Sequence, residues 1–508
     1  MGLAIIHSRA CVGVEAPEVT VEVHISNGMP GFNLVGLPET TVKEAKDRVR
    51  SAIINSNFEF PSKKITVNLA PADLPKEGGR FDLPIALGIL AASDQIPNHK
   101  LKDHEFVGEL ALSGELRRVK GVLPAALASL KANRSLIVPD ENGDQAALVG
   151  ANVHKSAPHL LSVCGFLCGQ QQLGLFTSPV IEHIDLPLER DLQDIIGQQQ
   201  GKRALEIAAA GGHNLLYLGP PGTGKTMLAS RMSDLLPEMT NDEALETAAV
   251  ASLTHQHINE SNWRTRPFRS PHHSSSMAAL VGGGSIPRPG EISLAHNGIL
   301  FLDEMPEFER KVLDSLREPL ESGEIIISRV ASKMRFPARF QLVGALNPSP
   351  TGYYEGNNTR TNPQLILRYL NRISGPLLDR FDMSLEIPLL PKGTLTEGGD
   401  RGESSLQVKE RVRLARVKML ERSGKINALL SSREVETYCP LEKEDAVFLE
   451  DTLYRLGLSI RAYHRIIKVA RTIADLSGSE NIQRIHLGEA VGYRAMDRLL
   501  KQLSAQAV

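Results

Sequence analysis

A chain of 508 residues exceeds one ordinary core, since single cores rarely grow past about 250–300 residues, so three or so domains are expected. Hydrophobic residues make up 42% and charged residues 23%, a balance that excludes extended disorder, and no apolar run approaches the roughly 18 residues that span a bilayer. The formal net charge of −2 means that any contact with nucleic acid must come from a local basic surface.

The opening MGLAIIHSRACVGVE has no basic stretch followed by an apolar core, so neither export nor membrane insertion is expected. Residues 1–170 read as a mixed α/β unit, with alternating strands at VTVEVHI (19–25) and KITVNL (64–69) beside a helical VKEAKDRVRSAIINS (42–56). Cys11, Cys164, Cys168 and Cys439 form no zinc-type pairs and read as reduced thiols of a cytoplasmic protein. The polar, proline-containing residues 171–191 read as a linker, and residues 192–391 as a second α/β unit.

Within that second unit, NLLYL (214–218) is a short apolar strand, GPPGTGKT (219–226) follows at once, and MLASRMSDLL (227–236) reads as an amphipathic helix. Strand, glycine-rich loop and helix in that order are what a phosphate-binding loop needs. Gly219, Gly222 and Gly224, with Pro220, Pro221 and Thr223 between them, let backbone N–H groups turn inward around phosphates at the positive end of a helix. Lys225 would pair with the β- and γ-phosphates of ATP, and the Thr226 hydroxyl would ligate Mg²⁺.

Next comes RSPHHSSS, whose adjacent His272 and His273 cannot easily face one metal ion. They read as a polar loop insertion, with Arg266 and Arg269 as second-line DNA contacts. GILFLDE (298–304) then ends four apolar strand residues in two carboxylates. Asp303 would hold Mg²⁺ through its waters and Glu304 would polarise the attacking water. The spacing suits a sheet in which this strand lies beside the phosphate-loop strand. FQLVGALNP (340–348) supplies a third strand ending at Asn347, whose amide can bond the γ-phosphate or the water, although a turn asparagine would look the same in isolation.

PKGTLTEGGDRGESS (391–405) marks a hinge or exposed loop, and QVKERVRLARVKMLERSG carries apolar residues at helical spacing. Residues 392–508 therefore read as a small helical domain.

With these pieces in order the chain resembles an AAA+ ATPase. DIIGQQQGKRALEIAAAGGHNLLYLGPPGTGKT is similar to the start of the magnesium-chelatase-like branch, which adds Ile196 to the nucleotide-binding set. The stretch RPFRSPHHSSSMAALVGGGSIPRPGEISLAHNGILFLDE (266–304) resembles the ComM, or YifB, family along the whole chain. That resemblance implies a Lon-protease-like domain, an AAA+ module and a helical lid, assembled as a hexameric ring helicase driving branch migration during natural transformation.

It also implies an arginine finger. SGPLLDRFDMSLEIP (374–388) resembles that segment, so Arg380 would reach the nucleotide of the neighbouring subunit. In GLSIRAYHRIIKVARTIADL (457–476), Arg461 would face back as a second phosphate sensor, an ordinary helix-surface charge being the alternative. ESGEIIISRVASKMRFPARFQ (321–341) resembles the hairpin that this branch projects into its pore. Arg329, Lys333, Arg335 and Arg339 would meet single-stranded or branched DNA without sequence preference, and a solvated edge hairpin is the alternative.

Two departures matter. NPSPTGYYEGNNTRTNPQ has no cysteine where many relatives carry a cluster, so no zinc site is expected. LAPADLPKEGGRFDLPIALGIL resembles the serine segment of Lon but has Arg80 where the nucleophile would stand, and Leu123 takes the place of the activating lysine. Without a Ser–Lys pair the domain is expected to be proteolytically inactive, with a structural or DNA-binding role. A motor on DNA and a remodelling or chelatase-type ATPase acting on a protein client both remain open.

Overall fold

The computed structural model describes residues 2–36, 44–76, 78–150, 153–175, 190–254, 263–284, 287–328, 333–350, 352, 362–394 and 400–506. Its N-terminal unit is built on an eight-stranded mixed sheet in the order Gly174–Leu175, Lys155–Ala157, Ser135–Pro139, His104–Phe106, Gly2–Arg9, Glu18–Ser26, Lys64–Ala70, Gly31–Val35. The alternation in VTVEVHI does what period two requires, since Val19, Val21 and Val23 are buried and the residues between them are not. The helix Asp82–Ala92 (DLPIALGILAA) is apolar all round and buried at every position. It lies so close to the sheet that a Cβ on Gly88 would stand 2.5 Å from the Val23 side chain.

The linker reading needs correction at its start. Gly174–Leu175 pairs antiparallel with Lys155–Ala157, and Leu173 is buried. An apolar segment beside an open sheet edge satisfies its backbone by adding a strand. Most of the remaining linker, residues 176–189, lies outside the described residues.

The second unit carries a five-stranded parallel sheet in the order Phe268–Arg269, Ile299–Leu302, Gln341–Leu346, Leu215–Leu218, Met383–Glu386. The phosphate-loop strand and the carboxylate strand are therefore not neighbours, contrary to expectation. Gln341–Leu346, longer than either and buried at all six positions, lies between them, where both faces of a parallel sheet are covered.

The C-terminal region is helical, from Ser405–Ser423 through Ile460–Leu476 to Ala495–Gln506. Its buried residues are continuous with those of the second unit. Val412, Met419 and Ile466 join Leu205 and Tyr217 in one cluster, while Met496 and Leu499 join Ile366 and Leu370 in another. Arg416 donates to the carbonyls of Ala209 and Ala210 at the C-terminal end of the helix Gln199–Gly211, where unpaired carbonyls and the helix dipole favour a cation.

Leu123, fully buried, packs on Ala248, Ala249 and the partly buried Trp263, and the Gly121 N–H donates to the Ser252 carbonyl at 3.3 Å. The residue that replaces a catalytic lysine in the Lon resemblance is thus a contact between the two α/β units. No helix among the described residues is long and apolar enough to cross a membrane.

Candidate functional site

Parallel strands send their C-terminal ends to one edge of a sheet, and the site is built there. The Gly219 N–H donates to the Leu346 carbonyl at 3.2 Å, which pins the loop to the central strand. Gly222 and Gly224 take positive φ angles of 77° and 88°, and a Cβ at either position would meet open space. These glycines turn the loop without closing the cradle in front of it. Gly224 caps the helix Lys225–Ser230, and Thr223 closes the loop by donating its hydroxyl to the Pro220 carbonyl at 3.0 Å.

Lys225 is 8% exposed, and its ammonium donates to the carbonyls of Gly219 and Pro220 and to Asn347 Oδ1 at 2.6, 2.8 and 3.2 Å. Burial holds its pKa below the ordinary lysine value, against the pull of Asp303 and Glu304. The Thr226 hydroxyl donates to Asp303 Oδ2 at 2.6 Å. A hydroxyl and a carboxylate in contact beside an open glycine cradle suit the oxygen chemistry that Mg²⁺ demands. Three sequence segments, at 219–226, 303–304 and 347, thus meet within hydrogen-bond distance.

Glu304 takes a left-handed backbone conformation with φ of 49°. His273 Nδ1 lies 3.5 Å from its carboxylate, and the His273 ring stands edge-on to Phe308. Sequence reasoning left His273 in a polar loop. No local signal marks it, because the strand before it, Phe268–Arg269, is only two residues long. Gln198 was missed too; its amide donates to the Thr223 and Pro388 carbonyls at 3.2 and 2.9 Å. Ile196, half-buried, belongs to the same segment beside the loop.

Arg380 and Arg461 sit elsewhere. Arg380 precedes the strand Met383–Glu386, which runs parallel to Leu215–Leu218, so it occupies the sheet edge opposite the chain's own phosphate loop. It pairs with Glu321 of the same chain, and burial, with Arg461 and Arg317 nearby, lowers its pKa. Arg461 is largely exposed, with its guanidinium 3.8 Å from Asp379. It groups with Asp379 and Arg380 because its helix packs on that edge, away from the phosphate loop of its own chain.

The hairpin exists as the antiparallel pair Glu324–Ser328 and Lys333–Pro337. Ile325, Ile327, Met334 and Phe336 form its buried face, and Val12 and Val14 of the N-terminal unit pack against the cluster that contains them. Arg335 is exposed, 3.6 Å from Glu324, and Lys333 lies opposite Ser328 in the register. Arg339 lies at the base, where a Cβ on Gly323 would stand 2.9 Å from its side chain, and Arg329 falls outside the described residues.

Arg266 and Arg269 are not arranged as surface DNA contacts. Arg266 donates to the carbonyls of Pro237 and Asn297 and to Glu243, and Arg269 makes a two-bond pair with Glu291 at 2.6 and 2.7 Å. Such two-bond pairs fix a guanidinium in place.

Comparison with known proteins agrees with this geometry. Three family models match: magnesium chelatase subunit ChlI at residues 191–395, subunit ChlI of Mg-chelatase at 21–142, and the ChlI C-terminal region at 402–494. The chain is 64% identical to competence protein ComM of Haemophilus influenzae over 99% of its own length and 100% of that protein's. It is 60% identical to YifB of Escherichia coli, with 99% of each chain covered. A magnesium-chelatase 38 kDa subunit of Rhodobacter capsulatus is 32% identical over 38% of this chain and 54% of that one.

Proposed function

The chain belongs to the ComM and YifB family of magnesium-chelatase-like AAA+ ATPases, and from that premise we propose that it is a ring motor that uses ATP hydrolysis to move DNA. The ring is a hexamer, and its task is branch migration of DNA being recombined in natural transformation. The observation that carries the ATPase half is the meeting of Lys225, Thr226, Asp303 and Asn347 at the ends of three adjacent strands.

ATP with Mg²⁺ supplies the phosphoanhydride and the cation that polarises it. The protein's share is positioning and charge. Lys225 would exchange its carbonyl partners for phosphate oxygens, while Thr226 and Asp303 would hold Mg²⁺. Glu304 accepts a proton from the attacking water, His273 holds its carboxylate meanwhile, and Asn347 orients the water. Arg380 serves a neighbour's nucleotide, which makes hydrolysis depend on assembly.

The DNA half is supported by the name of the competence relative and by the hairpin built onto the same strands. The chelatase likeness favours a second reading, a remodelling ATPase acting on a protein client. The ATPase rate with and without single-stranded or branched DNA, at two salt concentrations, separates the two. The DNA motor predicts stimulation that fades as salt rises, because phosphate contacts release counterions. No stimulation and no binding at low salt would leave the protein-client reading.

A further inference from the structure

Where the N-terminal unit meets the second unit there is a cavity of about 400 Å³, and Arg80 lines it. Arg80 is 5% exposed. Its guanidinium donates to the Lys120 carbonyl at 3.1 Å, and its Nε finds no hydrogen-bond partner among the described residues. A buried cation without a counter-charge is costly, and proteins pair such groups or supply them with an anion. Glu109 lines the same cavity, but it makes no ion pair with Arg80 among the described residues, whereas Arg48 is paired with Asp82 close by at 2.7 Å. Arg118, Lys120 and Arg288, all exposed, bring three more positive side chains to the wall.

We infer that this cavity binds a small free phosphate-bearing anion, with the Arg80 guanidinium as its central contact. The position that holds a nucleophile in the Lon resemblance has become a binding position. Arginine suits it, because its planar fork matches the oxygens of a phosphate. A volume of about 400 Å³ falls within the range of small-ligand sites. The near-complete burial of Arg80 excludes a polymer backbone. Arg288 comes from the second unit and Arg80 from the first, so the bound anion ties the two together.

Equilibrium dialysis of radiolabelled inorganic phosphate against the full chain tests this, with Lys225→Ala present throughout to remove the phosphate loop's contribution. One phosphate should bind per chain, and Arg80→Met should weaken binding about tenfold or more, the worth of a hydrogen bond to a charged group. Absence of saturable binding, or equal binding by Arg80→Met, would overturn the inference, as would displacement of the phosphate by a single-stranded oligonucleotide. Arg80→Met in the otherwise unaltered chain should hydrolyse ATP at the normal rate, which shows that it folds. Should it fail to fold, the exposed pair Arg118→Ala with Arg288→Ala decides: weaker phosphate binding supports the site, and unchanged binding refutes it.

Discussion

Chains carrying Lys225→Ala and chains carrying Arg380→Ala should each be nearly inactive alone and active when mixed. Arg380 stands before the strand Met383–Glu386, and the phosphate loop follows the parallel strand Leu215–Leu218, with Leu215 opposite Met383 and Leu218 opposite Glu386. Four strand residues at about 3.3 Å each put at least ~13 Å between Arg380 and the loop of its own chain. If Arg380 touches a nucleotide, it is a neighbour's. Removing such a finger should cost about 10³-fold in rate. In an equal mixture a head-to-tail interface works only when its loop comes from the Arg380→Ala chain and its arginine from the Lys225→Ala chain, about one interface in four. Phosphate release, measured at constant total protein across mixing ratios, should therefore peak at roughly a quarter of the unmutated rate. A mixture no faster than its components would refute the reasoning, as would an assembled Arg380→Ala ring that hydrolyses ATP normally.

Glu304→Gln should bind ATP with nearly unchanged affinity while hydrolysis falls by roughly 10²–10⁴-fold, the usual worth of a positioned base; nucleotide binding and single-turnover hydrolysis measured together check the split. His154 is 2% exposed, and burial pushes its pKa from 6.5 down to about 4. The unfolded chain takes up this proton first, so His154 contributes full stability above pH about 6.5 and loses it as the pH falls toward 4, by roughly 3 kcal/mol at most. Urea midpoints followed by circular dichroism from pH 7 to 4.5 should fall more steeply for the unmutated chain than for His154→Gln, and parallel curves would exclude the effect.

The site was largely legible because its chemistry is written in short contiguous motifs. GPPGTGKT, the carboxylate pair Asp303 and Glu304, and Asn347 each follow an apolar strand, and three such strands in one parallel sheet bring their ends to one edge. Strand order was not legible, since placing Gln341–Leu346 in the middle is a property of the whole sheet. Gln198, His273, Arg266 and Arg269 escaped for a related reason. Their partners, Thr223, Glu304, Glu243 and Glu291, lie 22 to 31 residues away in sequence, and no local period encodes such contacts. The helical spacing of QVKERVRLARVKM announced an apolar face but could not say what covers it. That cover includes Leu205 and Tyr217 of the second unit, so the two regions share one continuous cluster.

The strands that carry the site also begin at the hairpin. Ile299–Leu302 ends at Asp303 and Glu304, and Gln341–Leu346 ends at Asn347. At the opposite edge, the Asn297 N–H donates to the Arg339 carbonyl at 2.6 Å, the Arg339 N–H to His296 Nδ1 at 3.0 Å, and the Ala338 N–H to the Gly323 carbonyl at 2.8 Å. The hairpin base is thus bonded to the roots of the two strands whose tips face Lys225 and Thr226. Buried parallel strands are stiff along their length, so on the ATPase reading a shift at Asp303 or Asn347 would be delivered to Arg339 rather than absorbed between. Val12 and Val14 pack against the cluster that holds Phe336 of the same hairpin, and Leu123 rests on Ala248. On the motor reading, the N-terminal unit is then the fixed body against which the hairpin works. Loosening it should uncouple DNA movement from hydrolysis while leaving the nucleotide site intact.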